Sequence, residues 1–176
     1  LVWSHAVSLL SCIGHCQGCV VHLLPLVERN PFVTRTYCVV QVIVAAVCEG
    51  DTRVVVGLGG SGTNDGGSGM LAALGAGDPD ALAVGGAKLR DLAADVLAGL
   101  TSVRERLHSL ERVLATVLDS PLPGFHGASA VFPPQKAAPP PVHNALASAL
   151  GPFSEMVAMV VPCGGDLPPA QRQRCA

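Results

Sequence analysis

The chain has 176 residues, a formal net charge of −2 and 49% hydrophobic residues, with few aromatic side chains. That length suits one domain or pieces of two and can bury a core, and the excess of small residues and valine is that of an alanine-rich soluble α/β enzyme. The lack of any Lys/Arg cluster counts against nucleic-acid binding, which needs a concentrated basic surface to neutralise phosphates.

Residues 1–17 are an unassigned segment without a clear period, although Ala6 to Leu10 has the character of a short buried strand. Leu1 to Val27 carries no formal charge, yet His5, His15, Gln17 and His22 interrupt it. No apolar run there reaches the roughly 18 residues that a membrane span needs. A secretory signal is not expected, with no basic start and no small-residue cleavage site, and the absence of an initiating Met suggests an incomplete chain. Cys12, Cys16 and Cys19 lie near His15 and His22, but a structural zinc site usually presents two ligand pairs and only one C-x-x-C is present. With Cys38, Cys48, Cys163 and Cys175 scattered elsewhere, the cysteines read as reduced thiols of a cytoplasmic protein.

Asn30-Pro31 signals a turn, after which Thr34 or Thr36 is placed to cap a helix. The apolar set Val39, Val42, Ile43, Ala46 and Val47 predicts that helix over roughly Val39 to Glu49, stopping at Gly50. Further on, Gly77-Asp78-Pro79-Asp80 reads as a loop, and Leu89, Leu92, Val96 and Leu97 predict a helix from Lys88 to Leu97. Ser102 with Glu105 forms a capping-box pattern, and Leu107, Leu110, Leu114 and Val117 extend a helical face through Arg104 to Leu118. Ala138 to Pro141 reads as a linker, followed by an amphipathic helix on Val142, Leu146, Leu150, Phe153 and Val157, kinked near Pro152. Residues 161–176 read as a disordered tail.

The chain is organised around Arg53 to Ala76, RVVVGLGGSGTNDGGSGMLAALGA. An unbroken apolar run, Val54 to Val56, enters a loop with glycine at 57, 59, 60, 62, 66, 67 and 69, and then a helix through Met70, Leu71 and Leu74. Strand, glycine loop and helix in that order favour an anion, because glycines let a ligand approach the main-chain N–H groups and the helix start favours negative charge; a glycine-rich turn without a ligand is the alternative. Ser61, Thr63, Asn64 and Asp65 add groups that can bind hydroxyls, hold a hydrated Mg²⁺ or take a proton. Gly57, Gly59 and Gly62 also fit G-x-G-x-x-G, with Asp78 or Asp80 placed for a ribose hydroxyl, so a nicotinamide-dependent oxidoreductase is a competing reading. Against it, Thr63-Asn64-Asp65-Gly66-Gly67 prolongs the loop where a dinucleotide motif would enter its helix. A P-loop is excluded, since no Gly-Lys-Ser/Thr follows.

The run from Val55 to Gly75 resembles the glycerate kinase signature GIGGSATNDGGAGMLQALG, differing mainly at Gly62 and Ser68, where alanine is usual. The resemblance spans residues 18–160. Val20 to Tyr37 is similar to SGLxLLPxxERNPLxTTTYGTGELI, with Cys38 and Val40 at two glycine positions; Gly127 to Ala137 is similar to GAAAVFGPQKGA, with Pro133 and Ala137 at two more. It also places a strand over 111–117, against the helical pattern, and puts Val117 and Ser120 where the family has aspartate and asparagine, leaving Asp119 as the nearby carboxylate.

The resemblance implies an α/β fold, a mostly parallel sheet flanked by helices, as the central part of a two-domain kinase. It also implies transfer of a phosphoryl group from ATP, with Mg²⁺, to a hydroxyl of D-glycerate, a small-molecule substrate, with neither nucleic acid nor membrane as partner. Asp65 and Asn64 are the expected catalytic residues, with Asp65→Ala costing turnover but little stability. Gly59, Gly60, Ser61, Thr63, Gly66, Thr36, Tyr37 and Lys136 are the expected phosphate and substrate contacts. The family's N-terminal and C-terminal motifs have no counterpart here, so a fragment inactive by itself and a noncatalytic remnant are both compatible with the sequence.

Overall fold

A computed structural model describes residues 2–4, 25–48, 50, 52–58, 60–116 and 140–161. The expectations for Ala6 to Leu10, for the cysteines and histidines between 12 and 22, for Val117 to Ala137 and for the tail beyond 161 lie outside the described residues.

Three strands form one sheet in the order β1 (Val2–Ser4), β2 (Arg53–Leu58), β3 (Glu111–Thr116). β1 runs antiparallel to β2, pairing Trp3 with Val55, while β2 and β3 are parallel from Arg53 opposite Glu111 to Leu58 opposite Thr116. The parallel pair begins with an exposed ion pair, Arg53 to Glu111 at 3.2 Å. A parallel pair requires a crossover, and this one carries α2 (Ser68–Leu74), α3 (Pro79–Leu82), two 3₁₀ turns and α4 (Leu100–Arg106). The strand expected from resemblance is therefore present at 111–116, and the helical period through Leu114 is not used.

Ahead of β2 lies α1 (Tyr37–Cys48), which terminates at Gly50 with φ +90°, as its sequence predicts. Cys38 and Val40 lie inside this helix, where valine is at no backbone disadvantage for the sign of φ, and Val40 is fully buried in the main core. Asp78 caps α3 by accepting from the Asp80 N–H, with Pro79 at the first helical position, so the expected loop at 77–80 contains a one-turn helix. α2 ends in a Schellman arrangement: the Ala76 N–H donates to the Leu71 carbonyl and the Gly75 N–H to that of Ala72.

Two helical expectations are corrected. Lys88 to Leu97 is not one helix but two 3₁₀ turns, Gly86–Asp91 and Ala94–Leu97, separated by Leu92 and Ala93 in extended conformation. Burying Leu89 and Leu97 against the last helix is satisfied by this broken path, and tertiary packing overrides the regular period. The Ser102–Glu105 capping box is absent as well, because α4 begins at Leu100 from Gly99 and leaves Ser102 exposed inside it.

α5 (Pro140–Val160) starts within the expected linker, with proline tolerated in a first turn whose N–H groups have no intrahelical partner, and runs on through Pro152. Ala149, Leu150, Phe153 and Met156 from α5 join Val40, Ala72, Leu82, Leu89, Leu97 and Val103 in the main core, and Leu146 of the same helix is buried too. A smaller cluster of Ala46, Val54 and Leu110 joins α1 to the sheet. The glycine-rich loop lies between β2 and the core helices, with α5 against its Gly66 end.

Candidate active site

Asp65 is only 1% exposed, and both of its carboxylate oxygens are engaged. Oδ2 accepts from the Thr36 N–H at 2.7 Å, the Thr36 hydroxyl at 2.9 Å and the Gly69 N–H at 3.2 Å, and Oδ1 accepts from the Gly67 N–H at 3.2 Å. The Thr36 oxygen in turn accepts from the Met70 N–H at 2.9 Å. Thr36 directly precedes α1, so one carboxylate faces the starts of two helices at once, where backbone donors lack intrahelical partners. The N–H donors at the α2 start, which the glycine pattern suggested for a ligand, are thus answered from within the chain. Gly69 makes this possible: a Cβ there would lie 2.8 Å from the Tyr37 nitrogen and 2.9 Å from that of Thr36, closer than real contacts allow.

The other half of the loop is built differently. Gly60 adopts φ +61°, which glycine takes without strain, and Ser61 behind it is exposed. Its hydroxyl lies 2.7 Å from the hydroxyl of buried Thr63 and accepts from the Thr63 N–H at 3.1 Å. Of the expected site residues, Ser61 is the one whose side chain reaches the surface from a fixed position in this loop.

Three loops converge here. Thr34 donates its hydroxyl to the Gly62 carbonyl at 2.8 Å, and Arg35 donates to the Ala83 carbonyl at 2.8 Å. Gly86 abuts the carbonyls of Asn64 and Pro31, and Gly66 packs against Leu150 and Phe153 of α5. The structure thus brings Thr36, Ser61, Thr63, Asn64, Asp65 and Gly66 together, with Asn64 buried at 7% exposure. Thr34 and Thr36, expected as caps of α1, spend their hydroxyls on the glycine loop and on α2 instead. Tyr37 packs against the main core and lines a cavity of about 460 Å³ with Val44, Cys48, Ala72 and Arg106. Gly59 and Lys136 lie outside the described residues. Arg35 was missed by sequence reasoning, because its partner is a backbone carbonyl that leaves no mark in residue spacing.

No group of three or more His, Cys, Asp or Glu side chains that could hold a metal occurs among the described residues. Mg²⁺ takes one or two carboxylates besides phosphate and water oxygens, and the carboxylate of this loop, Asp65, is enclosed by N–H and O–H donors. The described residues therefore do not fit a protein-held Mg²⁺.

A strand, glycine loop and helix wrapped by a parallel crossover define an α/β protein. The glycerate kinase family model matches residues 10–168. The chain is 39% identical to glycerate kinase of Bacillus subtilis over 140 residues, covering 77% of this chain and 36% of that protein. It is 36% identical to glycerate 2-kinase of Escherichia coli K12, covering 78% of this chain and 36% of that protein. The crystal structure of a candidate glycerate kinase 2 from Salmonella typhimurium LT2 superposes with a TM-score of 0.69 at 34% identity, covering 80% of this chain and 38% of that one. This chain belongs to the glycerate kinase family, and it spans little more than a third of the length of these relatives. The matches give no support to the nicotinamide reading, and Asp78, its ribose ligand, is used as a helix cap.

Proposed function

We propose that this chain is the signature-bearing part of an ATP-dependent glycerate kinase, which transfers a phosphoryl group to a hydroxyl of D-glycerate to give phosphoglycerate. The observation that carries the reading is the lip of half-buried Gly60 and exposed Ser61, held over buried Thr63 within a family signature. Phosphoryl transfer asks a protein mainly for positioning and charge stabilisation, and a fixed hydroxyl on a glycine-lined edge serves both. In this reading Gly59, Gly60 and Ser61 contact phosphate or the glycerate carboxylate, Thr63 and Asn64 fix the lip from beneath, and Lys136 supplies a cation. Mg²⁺ enters with the nucleotide. The setting is cytoplasmic; no helix among the described residues is long and apolar enough to cross a membrane.

Calorimetric titration of the 176-residue chain with D-glycerate and with Mg-ATP tests the reading. Saturable binding of either is expected. A phosphoryl-transfer assay on a protein extended to the family's length should then yield phosphoglycerate. Binding of neither ligand, together with no turnover in the extended protein, would leave the chain a noncatalytic remnant.

A further inference from the structure

We infer that Asp65 and Thr36 form an internal latch that positions the catalytic loop, and that Asp65 neither moves a proton nor holds a metal. The inference rests on the kinase reading for its kinetic consequence, though not for its structural one. A loop carboxylate within a kinase signature invites the role of base or Mg²⁺ ligand. Its surroundings are those of a bound anion already in place. Three backbone N–H groups and one hydroxyl point at its two oxygens, and it is 1% exposed. A base needs a lone pair directed at its substrate, and a metal ligand needs one directed at the ion.

What the carboxylate does is join segments that are distant in sequence. Through Thr36 it ties the 30–36 loop to the start of α2, and the Thr36 hydroxyl relays the tie to the Met70 N–H. A second tie runs parallel, from Thr34 to the Gly62 carbonyl next to Ser61. The segment 62–65 that follows the lip is therefore anchored twice by the 30–36 loop. Displacing that loop moves Ser61 without removing any group that touches substrate, so Asp65 and Thr36 are positioning residues.

The two oxygens of Asp65 are unequal, and this gives a sharp test. Oδ2 accepts from three donors and Oδ1 from one, so the amide of Asp65→Asn keeps most of the latch with its oxygen at the Oδ2 position. In the extended protein, Asp65→Asn should retain kcat within about tenfold, whereas Asp65→Ala should lose about a thousandfold. A base or metal ligand predicts that both variants fail alike. Thr36 gives a second, independent arm. Thr36→Val, which keeps the shape and removes the hydroxyl, should lower kcat about tenfold or more with little change in KM for ATP, and Thr36→Ser should restore it. Combining Thr36→Val with Asp65→Ala should lower kcat no further than Asp65→Ala alone.

Hydrogen exchange on the 176-residue chain separates failure of the latch from failure of the kinase reading, because it needs no activity. Amides of Gly69 and Met70 should exchange about tenfold faster in Thr36→Val and near the original rate in Thr36→Ser. If they do so and the extended protein has no turnover, the latch stands and the function falls. Unchanged exchange in Thr36→Val, or an Asp65→Asn protein that folds yet is as inert as Asp65→Ala, overturns the latch.

Discussion

The two halves of the glycine-rich loop are made of similar residues and differ in what they leave open. In residues 63–69 the Asp65 carboxylate and the N–H groups of Gly67, Ser68 and Gly69 are consumed inside the chain, while Ser61 presents a fixed hydroxyl to the outside. The difference teaches that glycine content alone does not mark a ligand contact. In the second half glycine is needed so that another backbone can come close, as Gly69 does against Tyr37 and Thr36. In the first half it serves a turn that carries a side chain outward.

The largest effect should come from emptying the pinned half. Asp65→Ala leaves the N–H groups of Thr36, Gly67 and Gly69 and the Thr36 hydroxyl without their acceptor. At about 1–3 kcal/mol for a buried unsatisfied group, some of it relieved by water, the expected loss is about 4 kcal/mol in a urea unfolding experiment. This reverses the sequence-based expectation of little loss, and a change below about 1 kcal/mol would restore that expectation. Gly69→Ala attacks the same half by crowding and should destabilise by about 2–3 kcal/mol, read from the same unfolding curves. The open half should behave oppositely. Ser61→Ala takes a partner from the N–H and hydroxyl of Thr63, so it is expected to cost about 1 kcal/mol of stability, well below Asp65→Ala, yet to weaken Mg-ATP or glycerate binding about tenfold by calorimetry, the worth of one hydrogen bond to a charged group.

The smallest change should be a gain. Ser68 is fully buried and its hydroxyl has no hydrogen-bond partner among the described residues, at a position where the family signature usually has alanine. Ser68→Ala removes an unsatisfied polar atom and should stabilise the chain by about 1 kcal/mol, raising the thermal midpoint by a few degrees. A fall in the midpoint would show that the hydroxyl is bonded in solution, and would extend the pinned half by one more contact.

Much of the frame was legible because it is local. Val54 to Val56 with the glycines after them announced β2 and its loop, and Gly50 announced the end of α1. β3 was legible only through resemblance, since Leu107, Leu110, Leu114 and Val117 carry a helical period that parallel pairing with β2 overrode. The single helix expected over 88–97 failed for a related reason: period reports which residues are apolar, and two 3₁₀ turns bury Leu89 and Leu97 equally well. Ser61, Thr63, Asn64 and Asp65 were found as a group from their chemistry. Their division of labour was not, because two of the four donors to Asp65 lie 29 residues upstream at Thr36 and no spacing rule connects the two.

That separation bears on the order in which the protein is made. Thr36, the residue before α1, finds the acceptor for its N–H and hydroxyl not in its own flank but in a carboxylate synthesised 29 positions later, across the whole of α1 and β2. A nascent chain that ends before Asp65 therefore holds α1 with a frayed start, and short helices without caps are marginal in water. Once Asp65 and the first turn of α2 behind it have left the ribosome, a loop closes whose entropic cost grows only slowly with its length, and the start of α2 is fastened to the residue before α1. The two helices are thus completed together during synthesis, although one is finished well before the other begins.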